Sequence, residues 1–298
     1  MTQLAPAPVL RTAFRGIVDY AGLFPPASRS MSEAVARYAG HRQSAARWML
    51  GRFVVGAARL RELHDARGTA PSVADRWPLT VTLGADVVDG LERLADFSGR
   101  AGDESFTVAS LEVKVATPDD VTRLAARLPT GVEWYFEVPI AGPYAPFAAA
   151  IAEVGGRAKV RTGGVTPELF PSAGAVIELV AEAAAAAIPF KATAGLHHAI
   201  RGNFPLTYAA GAPQHTMYGF INLLLATALV RRDGDRAAAR TVLLDSDPAS
   251  FRIGEDGVFW RGRRFDDDEL GATRRAAFTS FGSCSFREPV DGLAGVAR

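Results

Sequence analysis

The sequence predicts a (β/α)8 TIM-like barrel of the α/β class with a C-terminal appendage. Short runs of β-branched and aromatic residues alternate with amphipathic stretches rich in alanine, arginine and leucine, a pattern typical of βαβ units. Eight such units occupy about 230 residues, which fits a closed parallel barrel. The phosphate-binding fingerprint G-x-G-x-x-G, which an open dinucleotide-binding sheet carries after its first strand, is missing.

The predicted strands and helices alternate along residues 1–244, which we assign to the barrel. The strands are predicted at Gly16–Tyr20, Met49–Val55, Leu79–Leu83, Ser110–Ala116, Val132–Val138, Ala158–Arg161, Phe190–Thr193 and Tyr218–Leu223. The helices are predicted at Met31–Gln43, Ala57–Ala66, Val87–Phe97, Pro118–Leu128, Pro143–Val154, Pro167–Ala187 and Ala226–Arg232. Two of these helices follow a threonine and begin with proline and acidic residues, at Thr117 and Thr166, as expected of helix N-caps.

Residues 245–298 differ in character and are predicted to pack on the barrel as an appendage. Side chains alternate in polarity over Phe251–Trp260, around the dipeptide Asp256-Gly257, which predicts a hairpin. A short helix over Asp266–Ala277 is predicted next, followed by a tail that includes Phe281–Phe286. About 50 residues are marginal for independent folding, so this segment is not assigned as a separate domain.

The composition excludes several classes of protein. Of the 298 residues, 48% are hydrophobic and 22% are charged, and the formal net charge is +1, as in a globular protein with a sizeable core. Near-neutrality argues against nucleic acid or an anionic membrane as a partner. A single cysteine, Cys284, excludes a disulfide framework. Because no signal peptide is recognised and no apolar run reaches about 20 residues, a cytoplasmic location is expected. Self-association into a homo-oligomer stays open.

Lysine is rare, and its few positions are informative. Of 33 basic residues only three are lysine, and all three lie in predicted strands: Lys114, Lys159 and Lys191. Side chains alternate along a strand, so Glu112 shares a face with Lys114, Arg161 with Lys159, and Thr193 with Lys191. The other face must pack on helices, which points this charged set into the barrel. It forms either a structural ion-pair network or a site at the strand C-termini. Lysine favours the site, because arginine cannot act as an amine nucleophile or a base.

Two of these strands carry short motifs: Ala158–Gly164 reads AKVRTGG, and Phe190–Gly195 reads FKATAG. The pair resembles the strands of the class I aldolases of the deoxyribose-phosphate aldolase type, in which a K-V-x-x-x-T-G-like strand precedes a V-K-T-S-T-G strand. The resemblance implies a barrel in which Lys191 forms a Schiff base with the substrate. Two alanines, Ala192 and Ala194, stand where that family has threonines.

A nucleophilic Lys191 is physically coherent, because nearby cations and apolar strands are expected to lower the pKa of an amine toward neutrality. Lys159 and Arg161 are predicted to supply that field and to bind an anionic group of the substrate. Glu137 is a candidate acid/base, and His197 is an alternative proton carrier. The remaining inward-facing residues are assigned to substrate binding: Glu112, Lys114 and Thr193.

A second group of polar residues follows the FKATAG strand. It contains His197, His198, Asn203 and His215. The group lies on a predicted loop at the C-terminal end of a strand, where barrel enzymes carry their chemistry. Three roles stay open: acid/base catalysis or substrate binding, ligation of a divalent metal together with Glu137 or Asp19, and hydrogen bonding within the loop. Adjacent histidines point apart on an extended chain, which disfavours a metal shared by His197 and His198.

The sequence thus predicts a lyase that acts on a small anionic carbonyl substrate through a lysine Schiff base, without a cofactor. Asp19, at the end of the first strand, is expected to offer a hydrogen bond into the same mouth of the barrel. Cys284 is expected to be a small buried residue and not a nucleophile. The alternatives are a metal-dependent hydrolase or isomerase that uses the histidine group, and a barrel that binds an anionic metabolite without catalysis.

Overall fold

Eight parallel strands close into a barrel covered by helices, which confirms the predicted fold class. The structure is a computed structural model and describes residues 8–68, 76–99 and 105–296. Around the barrel the strands follow the order Val18–Tyr20, Phe278–Ser283, Phe190–Thr193, Arg157–Arg161, Glu133–Glu137, Phe106–Lys114, Trp77–Thr82 and Leu50–Gly56. Within the described ranges, no helix has the length and apolar character needed to cross a membrane.

The elements of the described chain follow each other with short connections. In order they are α1 (Pro8–Phe14), β1 (Val18–Tyr20), α2 (Met31–Gln43), β2 (Leu50–Gly56), α3 (Leu60–Gly68), β3 (Trp77–Thr82), α4 (Val87–Gly99), β4 (Phe106–Lys114), α5 (Pro118–Ala125), β5 (Glu133–Glu137), α6 (Ala145–Glu153), β6 (Arg157–Arg161), α7 (Ala173–Ala185), β7 (Phe190–Thr193), β8 (Gly202–Pro205), β9 (Gln214–Met217), α8 (Phe220–Asp233), α9 (Arg236–Leu244), β10 (Phe251–Ile253), β11 (Val258–Trp260), β12 (Arg263–Phe265), α10 (Asp267–Ala276), β13 (Phe278–Ser283) and α11 (Arg287–Val296).

Alternation along the strands separates an apolar outer layer from a polar inner one. In β7, Phe190 and Ala192 belong to the hydrophobic core between strands and helices, whereas Lys191 contacts carboxylates inside the barrel. Stacked rings continue the outer layer: Phe190 lies on Phe278 with ring centroids 5.4 Å apart. The strands therefore contribute both the stabilising core and the polar interior.

Helix starts agree with the sequence at one threonine and differ at the other. The Thr117 side chain accepts a hydrogen bond from the Asp120 amide, and the Asp120 carboxylate accepts one from the Thr117 amide, which caps α5. The helix predicted to begin at Pro167 instead makes only one 3-10 turn there, and α7 begins after the N-cap Ser172. The reason is Pro171, because a residue before proline is disfavoured in helical conformation.

The eighth barrel strand is not the predicted one. The prediction of a strand at Tyr218–Leu223 is wrong, because α8 begins at Phe220 and all its residues to Val230 are buried. A short apolar run cannot be assigned to strand or buried helix by periodicity alone. The eighth strand is β13, which pairs in parallel with β1 on one side and β7 on the other.

This strand also changes the predicted boundary at residue 244. The segment 245–298 contains the predicted hairpin, with β10 and β11 antiparallel, and a third strand, β12, extends it. The predicted helix is present as α10, capped by Asp266. Because β13 follows this helix and closes the barrel, the segment is an integral part of the barrel and not only an appendage packed on it.

Candidate functional site

The interior of the barrel is filled with polar and charged side chains. Barrel interiors are commonly packed with branched apolar residues. Here the hydroxyls of Thr80 and Ser110 form a buried hydrogen bond of 2.8 Å. Strands β4 to β7 contribute ionised groups at matching register positions, such as Lys159 opposite Lys191. A buried charge is costly unless it is paired and hydrogen-bonded. The partners of these groups therefore determine their protonation states and the chemistry open to them.

Six side chains form an alternating chain of acids and bases across the interior, here called the ion-pair network. In order of contact its members are Asp19, Lys191, Glu112, Lys159, Glu137 and Arg161. Nζ of Lys191 lies 2.5 Å from Oδ2 of Asp19 and 2.8 Å from Oε1 of Glu112. Nζ of Lys159 lies 2.7 Å from both Glu112 Oε2 and Glu137 Oε2. Three acids balance three bases, so the network is neutral as a whole.

Asp19 is positioned by the backbone as well as by Lys191. Its Oδ1 accepts a hydrogen bond from the Arg52 amide at 2.9 Å, and its Oδ2 accepts one from the Ser280 hydroxyl at 2.9 Å. A side chain on Gly51 would lie 2.5 Å from Asp19 Oδ1, so this position on β2 needs glycine. Asp19 lies in β1, as the sequence predicts, and its contact with Lys191 brings it to the site expected for it.

The charges of the network shift the pKa values of two of its acids and both of its lysines toward the ionised forms: Glu112, Glu137, Lys159 and Lys191. Burial disfavours the ammonium of Lys191, but Asp19 and Glu112 outweigh that effect and raise its pKa above the ordinary value. The same balance raises the pKa of Lys159. Burial opposes ionisation of Glu112, but Lys159 and Lys191 lower its pKa to about 2. The expected lowering of the Lys191 pKa is therefore wrong, because its nearest neighbours are anions and not cations.

The ion-pair network ends at the C-terminal mouth of the barrel. Arg161, the last residue of β6, lies 3.1 Å from Glu137 Oε1 and is partly exposed. Thr193 ends β7 beside Arg161 in the strand register. Lys114 ends β4 opposite Glu137, and its side chain is exposed. These residues thus place two cations at the mouth, next to the buried carboxylate of Glu137.

His197 lies apart from the ion-pair network, beside the last residue of β13 and the first turn of α11. Its Nδ1 lies 3.1 Å from the Ser283 hydroxyl and 3.1 Å from Oε2 of Glu288. His198 stacks on Phe204 with ring centroids 3.4 Å apart. Burial and the charge of His197 lower the pKa of His198 to about 4, so His198 is neutral near pH 7.

The other members of the histidine group lie on the β8–β9 hairpin. His215 packs against Phe170 at 4.4 Å between centroids, and the Asn203 amide donates to Gln214 Oε1 at 2.7 Å. The histidines therefore have separate partners and do not converge. In the described ranges, no three His, Cys, Asp or Glu side chains are grouped so that they could hold a metal ion.

Cys284 is buried, and burial raises the pKa of its thiol. Its Sγ lies 3.5 Å from the hydroxyl of Tyr208. A nucleophilic cysteine needs a lowered pKa, so this environment agrees with a packing role.

Several interior residues were missed by the sequence predictions. Arg52 and Arg157 both bind Glu133, at 2.7 and 2.9 Å, one layer below the ion-pair network. Ser280 was missed because its strand was not predicted. The sequence held a signal for Glu133 and Arg157, since polar or charged residues recur at every second position in Glu133–Glu137 and Arg157–Arg161.

Comparison of the chain with protein-family models, curated proteins and solved structures found no match. The site therefore rests on its own geometry.

Proposed function

We propose that the chain is an aldolase-like lyase that acts on a small anionic carbonyl compound through an imine on Lys191. The observation that carries the proposal is the ion-pair network at the centre of a TIM barrel. Buried ion pairs seldom increase stability relative to apolar residues of similar size, whereas strongly perturbed titratable groups are frequent at functional sites. A fold alone does not define an activity, so the proposal depends on these side chains.

The choice of lysine supports amine chemistry. With 30 of 33 basic residues being arginine, a buried cation in this chain is expected to be arginine unless an amine is needed. Two of the three lysines occupy the interior, and both contact Glu112. Of arginine and lysine, only lysine can supply an amine that forms an imine with a carbonyl compound.

The raised pKa of Lys191 sets the first step of the mechanism. The resting side chain is an ammonium, which is not nucleophilic, so a proton must leave before it reacts. Asp19 and Glu112 both lie within hydrogen-bond distance of Nζ. Substrate binding that excludes water and separates these ion pairs would favour proton transfer to one of the two carboxylates.

The bond changes then follow ordinary imine chemistry. The neutral amine adds to the substrate carbonyl, whose oxygen leaves as water with both amine hydrogens. The carboxylic acid returns a proton to the imine nitrogen, which becomes an electron sink. The bond between the α and β carbons breaks, its electron pair moves toward that nitrogen, and the β-hydroxyl gives its proton to Glu137 to become a carbonyl. The remaining enamine is protonated on carbon, and water releases the second product.

The cations at the mouth account for an anionic substrate. Arg161 is partly exposed, and its guanidinium donates to Glu137 and to the Gly163 carbonyl oxygen. Lys114 is exposed at the end of β4. Guanidinium and ammonium groups bind carboxylate or phosphate. We assign these two residues, with Thr193, to the anionic group of the substrate.

Borohydride trapping tests the imine. The protein is incubated with pyruvate, glyoxylate or glyceraldehyde 3-phosphate and then reduced. Peptide mass spectrometry is expected to find the reduced adduct on Lys191, because reduction of the imine converts it into a stable secondary amine.

Two variants give the trapping experiment its control. Lys191→Arg keeps a cation between Asp19 and Glu112 and is expected to abolish the adduct, whereas Lys114→Arg keeps it. Turnover of a carbonyl substrate without any adduct, or an adduct that persists in Lys191→Arg, would overturn the imine mechanism.

A second function is favoured by the complete pairing of Lys191 and its raised pKa. An amine that stays protonated supports the binding of an anionic metabolite without covalent chemistry. In that case ligand binding depends only on the charge at position 191. The wild-type protein and Lys191→Arg then bind the ligand with the same affinity, and neither forms an adduct.

A further inference from the structure

A second concave region opens at the N-terminal mouth of the barrel, opposite the mouth used in the proposed function. It is a cleft of about 450 Å³, within the usual range for small-ligand sites of about 300 to 1,000 Å³. The first residues of β2, β5 and β6, namely Leu50, Glu133 and Arg157, line it together with the end of α10. Its base reaches Asp19 and Ser280.

Among the residues that the structure describes, the lining of the cleft contains more cations than anions. Its lining includes four arginines and two carboxylates. The arginines are Arg52, Arg157, Arg274 and Arg275. Asp19 already binds Lys191, which lies outside the lining, and Glu133 is shared by Arg52 and Arg157. The described lining therefore keeps an excess of positive charge. A concave site with low-dielectric walls concentrates such a field.

Two of these arginines lack a carboxylate partner within the described ranges. Arg274 donates to backbone carbonyl oxygens, including those of Ala13 at 2.7 Å and Phe278 at 2.9 Å. Its largely buried charge is thus held by dipoles, and burial lowers its pKa to about 10. Arg275, the next residue, is exposed, and it forms no ion pair with any residue that the structure describes.

Neutral hydrogen-bonding groups complete the lining. The hydroxyl of Tyr135 lies 3.1 Å from that of Thr279, and both residues border the cleft. Leu50 and Pro78 supply an apolar wall. The combination of forked guanidinium donors, hydroxyls and a small apolar surface is suited to a compact organic anion.

We propose that the N-terminal cleft is a second binding site, which takes one small dianion such as a dicarboxylate or a phosphorylated metabolite. A dianion would balance Arg275 and the excess charge of the Arg52–Glu133–Arg157 cluster. The site is distinct from the C-terminal mouth. Its arginines lie within the first three residues of a strand or near the end of α10, whereas Arg161 and Lys114 are the last residues of β6 and β4.

Titration calorimetry at low ionic strength tests this site with succinate and inorganic phosphate as probes. Wild-type protein is expected to bind at least one of them with a stoichiometry of one. Arg275→Glu is expected to weaken binding by about tenfold or more, because the charge reversal replaces an attraction to the dianion by a repulsion. Arg157→Gln, which leaves the Arg52–Glu133 pair intact, is expected to weaken it as well.

Matched variants locate the site. Arg264→Glu makes the same charge change on β12, outside the cleft lining, and Arg161→Gln removes a cation from the opposite mouth. Both should leave the affinity within about twofold. The proposal is overturned if neither probe binds, if Arg264→Glu weakens binding as much as Arg275→Glu, or if Arg161→Gln abolishes it. Lys191→Arg is expected to bind the probes with wild-type affinity. The calorimetric result therefore does not depend on whether an imine forms on Lys191.

Discussion

The outward and inward faces of the barrel strands carry different kinds of side chain, apolar on the outside and charged on the inside. Outward-facing residues such as Phe190 and Phe281 are fully buried and stack on other aromatic rings. Inward-facing residues such as Lys191 and Glu112 are equally buried but ionised and paired. Transfer of apolar surface from water stabilises the first set, whereas pairing only offsets the desolvation cost of the second.

This difference assigns stability to the outer layer and the proposed chemistry to the inner one. A one-residue step along β7 moves from the ring of Phe190 to the ammonium of Lys191. A functional group placed inside the barrel is therefore held by a rigid apolar shell that does not itself react. The following predictions test that assignment, in order of expected effect.

The largest loss of stability is expected from the outer layer. Phe190→Ala removes a ring that is fully buried and stacked on Phe278. The free energy of unfolding, measured by urea denaturation, is expected to fall by about 4 kcal/mol. Val88→Ala, at a side chain that is 46% exposed, should change it by less than about 0.5 kcal/mol. Equal effects of the two variants would contradict the assignment.

A smaller loss is expected when the ion-pair network is left unbalanced. Glu112→Gln removes the anion between Lys159 and Lys191. Breaking a buried pair costs about 3 to 5 kcal/mol, and we expect about 3 kcal/mol because glutamine still accepts a hydrogen bond.

The double variant Glu112→Leu with Lys159→Met is compared with Glu112→Gln by measuring the free energy of unfolding of both under the same conditions. It keeps two intact pairs, Lys191 with Asp19 and Arg161 with Glu137. It is expected to lose less than about 1 kcal/mol, because an apolar substitute for a buried pair is often neutral. A double variant as unstable as Glu112→Gln would show that the inner layer stabilises the fold through its charges.

A change of pH is expected to alter the free energy of unfolding more gradually than these substitutions. Glu112 and Glu137 have lowered pKa values in the folded protein, so their contribution to stability is present above pH 4.5 and is lost as the pH falls toward about 2. Lys159 and Lys191 have raised values, and their contribution is present below pH 10.5 and is lost only above it. Unfolding free energies measured across this range should decline on the acid side, with a shallower slope in Glu112→Gln. An unchanged slope in that variant would argue against the assignment to Glu112.

Much of the fold and part of the site follow from local patterns. The alternation of β-branched strands with amphipathic helices predicts seven of the eight barrel strands, and the alternation within them predicts that Lys159, Arg161 and Lys191 face inward. The eighth strand escaped prediction because its sequence, FTSFGS, is short and rich in small polar residues. Its identity depends on closing the barrel between β1 and β7, which local propensity does not encode.

The sequence by itself determined the class of fold, the inward direction of the charged residues and the rarity of lysine that drew attention to them. Only the tertiary structure decided the partners. Asp19 and Lys191 are separated by 172 positions along the chain, and closure of the barrel brings them to 2.5 Å. Because the pKa of a buried amine depends on which charges surround it, the state of Lys191 could be settled only once those neighbours were in place.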